Sequence, residues 1–171
     1  MKYRAFDFST GAHVAVSDFR GTAVLLTTWS VWCTACKAEL PAFETFWEAH
    51  RDSGLVMVEI NVDAAPDRPR ANVMRSLYGL TMPVWADPAN SFSTLFSAKG
   101  IPTSALIDPQ GVLVKVFQGA LDLNSAAFRT AMATALPGWP DAGIPRDAAT
   151  PAVRDAGALR HDAALLDGAP P

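Results

Sequence analysis

The sequence predicts an α/β fold in which helices flank a central mixed β-sheet. An apolar run at residues 23–29 is followed by a helix-like stretch at 34–51. A second apolar run at 55–63 is followed by a helix-like stretch at 66–78. Continuous apolar runs of this length are typical of strands buried on both faces of a sheet. Residues 104–117 then form two strand-like runs around Pro-Gln-Gly, which predicts a β-hairpin.

Shorter elements complete the predicted fold. They comprise two edge strands or a hairpin at 3–8 and 12–16, a strand at 82–86, a short helix at 91–97 and a final helix at 124–136. Strand–helix units that precede a hairpin and a closing helix favour a mixed sheet with helices packed on it. The first two segments would form a β extension on the N-terminal side of this core.

Length and composition limit the class of protein. The chain has 171 residues, half of them hydrophobic, and a net charge of −3. These values fit one domain with an appendage and give no support for binding nucleic acid or an anionic membrane. No apolar run reaches the length of a membrane span. We predict one domain at 1–136 and a Pro/Ala/Gly-rich extension at 137–171, whose composition is typical of a partly disordered tail.

The two cysteines, Cys33 and Cys36, lie where the first central strand gives way to the first long helix. Free backbone N–H groups in the first helical turn favour a negative charge, and the thiolate is the reactive form of cysteine. One turn separates the two residues, so a disulfide between them is possible. A redox pair is therefore favoured over two buried structural thiols. A zinc site is disfavoured because the three histidines are scattered without ligand spacing.

The longer pattern at residues 29–41, Trp-x-x-Trp-Cys-x-x-Cys-Lys-x-Glu-x-Pro, resembles the TlpA/ResA branch of the thioredoxin superfamily. A second match, Gly-Ile-Pro-Thr at 100–103, is similar to the cis-proline loop of that superfamily. The resemblance covers about residues 3–136. It implies a thioredoxin fold and a thiol–disulfide exchange activity without a bound cofactor.

The resemblance also implies roles for individual residues. Cys33 would be the attacking thiol and Cys36 the resolving thiol. Four residues would bind substrate or shape its docking surface: Trp32, Ile101, Pro102 and Thr103, with a cis peptide bond before the proline. Thr34, Ala35, Lys37 and Asp63 would tune the cysteines, and the Thr34 hydroxyl could donate a hydrogen bond to the Cys33 sulfur. No metal ligand is predicted.

One departure from the superfamily concerns proton transfer. Thioredoxins carry a buried aspartate six residues before the first cysteine, and this chain has Thr27 there. Glu59 and Asp63 are the candidate acid–base groups in its place. For Asp63, a solvated carboxylate at the end of a strand is the favoured interpretation.

The cysteine pair and the resemblance together predict a thiol–disulfide oxidoreductase. The resemblance also implies that it reduces protein disulfides and is recharged by an upstream thiol electron donor. Three alternatives stay open: an oxidase that donates its disulfide, a thiol peroxidase, and a copper-binding chaperone module. The peroxidase is disfavoured because neither cysteine lies in Pro-x-x-x-Thr-x-x-Cys. The chaperone would need a distant histidine ligand, for which His13 and His50 are the candidates.

The N-terminal residues lack the apolar core of a signal peptide. The resemblance favours a periplasmic or other extracytoplasmic location, with a signal or anchor that is absent from this chain. A cytoplasmic location stays open.

Overall fold

The structure, a computed structural model, describes residues 2–139. The strands are β1 Arg4–Asp7, β2 His13–Ala15, β3 Ala23–Trp29, β4 Leu55–Asn61, β5 Val84–Ala86, β6 Thr103–Ile107 and β7 Leu113–Gln118. The helices are α1 Thr34–His50, α2 Arg68–Leu77, α3 Ser91–Phe96 and α4 Ala126–Ala135. Each predicted element between residues 3 and 136 is present, with ends that differ by at most two residues. Most of the predicted extension lies outside the described residues.

The strands form one mixed sheet in the order β2-β1-β5-β4-β3-β6-β7. β3 runs parallel to β4, which runs parallel to β5. β6 and β7 form the predicted hairpin and join β3 in antiparallel orientation. The central strand β3 is buried along its whole length, which explains its unbroken apolar sequence. The predicted thioredoxin-like architecture is confirmed.

Helices cover both faces of the sheet. On one face, Leu40 and Phe43 of α1 and Phe128 of α4 form an apolar cluster with alternate residues of β3 and β4. On the other face, α3 contributes Phe92 and Phe96 to a second apolar cluster. Residues two positions apart in a strand point to the same face of the sheet. A polar residue two positions from a strand residue of the first cluster therefore lies on the face that α1 covers.

The N-terminal extension is a hairpin, which is one of the two arrangements that the sequence left open. β1 and β2 pair in antiparallel register, and β1 also pairs with β5. Tyr3 is buried just before β1, and its hydroxyl donates a hydrogen bond of 3.0 Å to Asp87 after β5. This contact fixes the start of the hairpin to the sheet.

Among residues 2–139, no helix has both the length and the apolar character required to cross a membrane.

Candidate active site

The two cysteines form a disulfide at the start of α1. The Sγ atoms are 2.01 Å apart, and the Cα atoms 5.3 Å. Cys33 is the N-cap of the helix, and its sulfur accepts a hydrogen bond of 3.1 Å from the Cys36 amide. Cys33 is half-buried, whereas Cys36 is only 2% exposed. Cys33 is therefore the sulfur that a second protein can reach, and a thiolate there would be stabilised by the helix start.

Three of the predicted tuning residues lie in the first turn of α1. Thr34 and Ala35 are exposed between the cysteines, and Lys37 is half-buried. In the disulfide form, within residues 2–139, the hydrogen bond to the Cys33 sulfur comes from the Cys36 amide, and donation by the Thr34 hydroxyl to the thiolate stays a prediction. The helical backbone supplies this donor without help from the Thr34 side chain.

The loop before β6 faces the disulfide. The Ile101–Pro102 peptide bond is cis, as predicted. The Ile101 carbonyl oxygen lies 3.8 Å from Cys33 Sγ. Thr103 is fully buried; its amide donates to the Thr28 hydroxyl at 2.9 Å and its own hydroxyl donates to the Gly100 carbonyl at 2.7 Å. Thr103 thus fixes the loop to β3, and Ile101 is the half-buried residue that borders the sulfur.

Trp32 borders the disulfide on the side of α2, and 63% of its surface is exposed. The Arg70 guanidinium lies over the indole, with its carbon 4.0 Å from the ring centroid. The indole N–H points to Asp67 at 3.4 Å, and Asp67 is 3.7 Å from Arg70. Trp29, by contrast, is completely buried beneath the loop, in the cluster that contains Cys36.

Asp63 is buried, so its interpretation as a solvated carboxylate is wrong. One oxygen accepts a 2.5 Å hydrogen bond from the Ser30 hydroxyl. The other accepts from the Val31 amide at 2.9 Å and from the Asn61 side chain at 2.7 Å. The loop between β3 and α1 folds over the end of β4 and removes Asp63 from solvent. Asp63 therefore holds the segment that leads into the cysteines.

Glu59 is the second candidate acid–base group from the sequence, and it lies next to the position where thioredoxins carry the buried aspartate. It lies directly beside Thr27 in the parallel register of β3 and β4, on the face that α1 covers. The Thr27 hydroxyl is 2.9 Å from that of Ser104 on β6. Glu59 is 1% exposed, and its Oε2 atom has no hydrogen-bond partner. Burial, reinforced by the nearby carboxylates of Glu39 and Glu44, raises its pKa well above the ordinary value.

Glu39 was not singled out among the candidate site residues, although it lies in the motif one turn after Cys36. Its carboxylate accepts a hydrogen bond from the Leu121 amide, and its other oxygen is buried without a partner. Burial raises the pKa of Glu39 to about 7, with the Leu121 hydrogen bond partly opposing the shift. The motif at residues 29–41 includes Glu39, but the Leu121 amide that donates to it is 82 positions away in sequence.

Glu44 completes a group of three carboxyls along α1 and β4. It accepts hydrogen bonds from the amide and hydroxyl of Thr81 and a longer one from the Met82 amide. These donors join α1 to the segment that leads into β5, so Glu44 has a structural role.

Among residues 2–139, no group of three or more His, Cys, Asp or Glu side chains could hold a metal ion. These residues therefore offer no set of metal ligands in support of the copper-chaperone alternative. His50 instead stacks on Phe46 and Trp139 near the end of α1.

The AhpC/TSA family model matches residues 3–116, which is more than half of the chain. The chain belongs to this family. Curated relatives include the thiol-disulfide oxidoreductases ResA of Oceanobacillus iheyensis and Bacillus subtilis, each 31% identical to this chain. The matches cover 65% and 66% of this chain and 57% and 62% of those relatives. The chain therefore spans about three fifths of their length.

Solved structures agree with the fold. A Chlorobium tepidum protein assigned as a thiol:disulfide interchange protein DsbE matches with a TM-score of 0.68 and 26% identity. That match covers 79% of this chain and 93% of the other. StoA of Bacillus subtilis matches with a TM-score of 0.60 at 24% identity, over 71% of this chain and 90% of the other. Together with the ResA relatives, these matches place the chain in the TlpA/ResA-like part of the thioredoxin superfamily.

Proposed function

We propose that this protein is a thiol–disulfide oxidoreductase that reduces disulfides in other proteins. The observation that carries the proposal is the Cys33–Cys36 disulfide at a helix start, with one sulfur accessible and the other buried. The ResA relatives support the same class of reaction. No step requires a bound cofactor.

The exchange proceeds in two displacements. The Cys33 thiolate attacks one substrate sulfur, forms a mixed disulfide, and the electron pair of the broken substrate bond leaves on the other substrate sulfur. Cys36 then gives up its proton and attacks Cys33 Sγ, which releases the first substrate sulfur as a thiolate. The substrate gains two electrons, and the protein is left with its Cys33–Cys36 disulfide. A dithiol donor of the same chemical class must reduce it again.

Glu39 is the group we assign to accept the Cys36 proton. It lies one helical turn after Cys36, and a carboxylate with a pKa of about 7 is a better proton acceptor than an ordinary glutamate. Mixing the reduced protein with 5,5′-dithiobis(2-nitrobenzoate) releases two chromophoric thiolates in sequence, and the second release reports the attack by Cys36. Glu39→Gln should remove a break near pH 7 from the rate of this second phase. Glu44→Gln, a matched change on the same helix, should retain the break; its loss in both variants would refute the assignment.

The surface around Cys33 is the proposed substrate site. The half-buried Ile101, held by cis-Pro102 and the buried Thr103, presents its carbonyl beside the sulfur, where an extended substrate strand could pair with the loop backbone. Trp32 supplies an exposed aromatic surface on the other side. Thr34, Ala35, Lys37 and Asp63 act on the cysteines through the first helical turn and the preceding loop.

The direction of exchange is tested by the reduction potential of the Cys33–Cys36 pair, measured by equilibration with glutathione buffers. A potential near that of thioredoxin, about −270 mV, would support a reductase with a dedicated electron supply. A potential near that of DsbA, about −120 mV, would instead show an oxidase that donates its disulfide.

Two further expectations belong to this proposal. The substrates and the electron donor are proteins with exposed cysteines, and the location is extracytoplasmic, as the resemblance to the TlpA/ResA branch favours. A peroxide-consumption assay separates the thiol peroxidase alternative: turnover of hydrogen peroxide at a rate comparable to disulfide exchange would refute the proposed activity. Cell fractionation with the protein found only in the cytoplasm would refute the location.

A further inference from the structure

An exposed row of side chains extends from the disulfide along α2. The row begins at Trp32, which precedes α1, and continues on α2 with Arg70, Val73 and Leu77. These three have the i, i+3, i+7 spacing of one helix face. Val73 is 67% exposed and Leu77 55% exposed, the highest values among the large hydrophobic side chains on the described helices. We call these four residues the α2 row. Its three helical members span about 10 Å along the axis.

The α2 row is continuous with the reaction site. Trp32 directly precedes Cys33 in sequence, and Arg70 lies over its indole at 4.0 Å. Asp67 fixes the same contact through the indole N–H and the Arg70 guanidinium. A polypeptide whose cysteine bonds to Cys33 therefore meets this row with the residues that flank its cysteine.

The charge of α2 opposes that of the rest of the chain. The net charge of the protein is −3, but α2 contains three arginines and no acidic residue. Two of the arginines lie back over the Phe8 ring, at 5.6 Å for Arg68 and 5.4 Å for Arg75. Arg70 is the exposed one, beside Val73. An acidic side chain of a partner is attracted to this positively charged helix, which orients an approaching polypeptide.

We infer that the α2 row is a docking surface for the polypeptide that flanks the substrate cysteine, and that it selects an acidic side chain for Arg70 and an aliphatic side chain for Val73 and Leu77. The inference rests on the proposed exchange function. It assigns to α2 a selectivity that the cysteines and the cis-proline loop do not supply.

The test uses the full reduced protein and three model disulfide peptides. Each peptide carries a leucine near its cysteine and either aspartate, serine or lysine at a further position. A small disulfide, 2-hydroxyethyl disulfide, serves as the fourth substrate because it has no charge and no residues flanking its sulfurs. Turnover of the neutral disulfide tests the exchange activity itself, whereas the ranking of the peptides tests the docking surface.

Wild-type protein should reduce the aspartate peptide with a kcat/KM about fivefold above that of the lysine peptide. Arg70→Glu should reverse this ranking when each peptide rate is divided by the rate with the neutral disulfide, because that ratio removes any change in the reactivity of Cys33. Arg51→Glu makes the same charge change at the far end of α1 and should preserve the wild-type ranking. Val73→Ser/Leu77→Ser, which leaves the Trp32 contact intact, should reduce the rate for all three leucine peptides.

The inference is wrong if Arg70→Glu and Arg51→Glu give the same ranking of peptides. It is also wrong if wild-type protein is a dimer in sedimentation that Val73→Ser/Leu77→Ser dissociates, because a second copy would then cover the surface. If neither the variants nor the wild-type protein reduce the neutral disulfide, the proposed exchange function is wrong.

Discussion

Replacing Asp63 gives a quantitative test of how the loop before the cysteines is held. Asp63 accepts hydrogen bonds from the Ser30 hydroxyl, the Val31 amide and the Asn61 side chain, and it is 6% exposed. Asp63→Ala leaves three buried donors without their acceptor. Each unsatisfied buried donor costs about 1–3 kcal/mol, but the Ser30 and Asn61 side chains can rotate, whereas the Val31 amide cannot. We expect a loss of about 3 kcal/mol in the free energy of unfolding.

Asp63→Asn separates the geometry of the contact from its charge. The asparagine oxygen can still accept from Val31 and Asn61, and its amide can donate to the Ser30 hydroxyl, which is able to reverse its role. Only the charge assistance is lost, so we expect a cost of about 1 kcal/mol. Asp52→Ala removes an exposed carboxylate after α1 and should change the stability by less than about 0.5 kcal/mol.

The assay is urea unfolding of the oxidised proteins, followed by tryptophan fluorescence. With an m-value of about 2 kcal/mol/M for a chain of this size, Asp63→Ala should lower the midpoint by about 1.5 M and Asp63→Asn by about 0.5 M. Equal losses for the two variants would show that the charge of Asp63, and not its acceptor geometry, holds the loop. An unchanged midpoint in Asp63→Ala would refute the argument as a whole.

Three further predictions concern the cysteines and the buried carboxyls. Cys33→Ala should abolish exchange, while Cys36→Ala should accumulate mixed disulfides with substrates on a non-reducing gel; normal turnover by Cys36→Ala would contradict the two-thiol mechanism. Glu59 keeps its proton in the folded protein above its ordinary pKa of 4.5, so its contribution to stability falls as the pH rises above that value. The free energies of unfolding of Glu59→Gln and wild type should therefore be compared at pH 5 and pH 8, and the variant should gain stability relative to wild type at the higher pH. The same difference in free energy at both pH values would show that Glu59 is ionised in the fold. Glu44→Ala should cost about 2 kcal/mol in thermal or urea unfolding because the Thr81 and Met82 amides lose their acceptor, whereas a neutral result would mean that water replaces it.

The elements and the cysteine geometry could be predicted from local sequence. The apolar run of β3 and the helical periodicity after it are properties of neighbouring residues, so they place Cys33 at the strand–helix junction without knowledge of the fold. The start of β5 was less well predicted, because Pro83 has no N–H for a sheet and the strand begins only at Val84.

The environment of the polar residues could not be predicted in the same way. Asp63 follows a strand and has an ordinary polar neighbourhood in sequence, but the loop at 30–32 folds over it from more than 30 positions away. The adjacency of Glu59 and Thr27 depends on the register between β4 and β3. Strand alternation shows which residues share a face, but it does not show which residue of the next strand lies beside them.

The hairpin of β1 and β2 has a consequence for how the molecule behaves among copies of itself. β5 has only three residues, and β1 pairs along its outer side. Without that cover, β5 would offer an open row of backbone donors and acceptors, which is the template on which sheets of separate molecules join and aggregate. The strand that takes its place at the boundary, β2, is a three-residue segment with little room for such pairing. The N-terminal hairpin thus protects the colloidal stability of the protein as well as its fold.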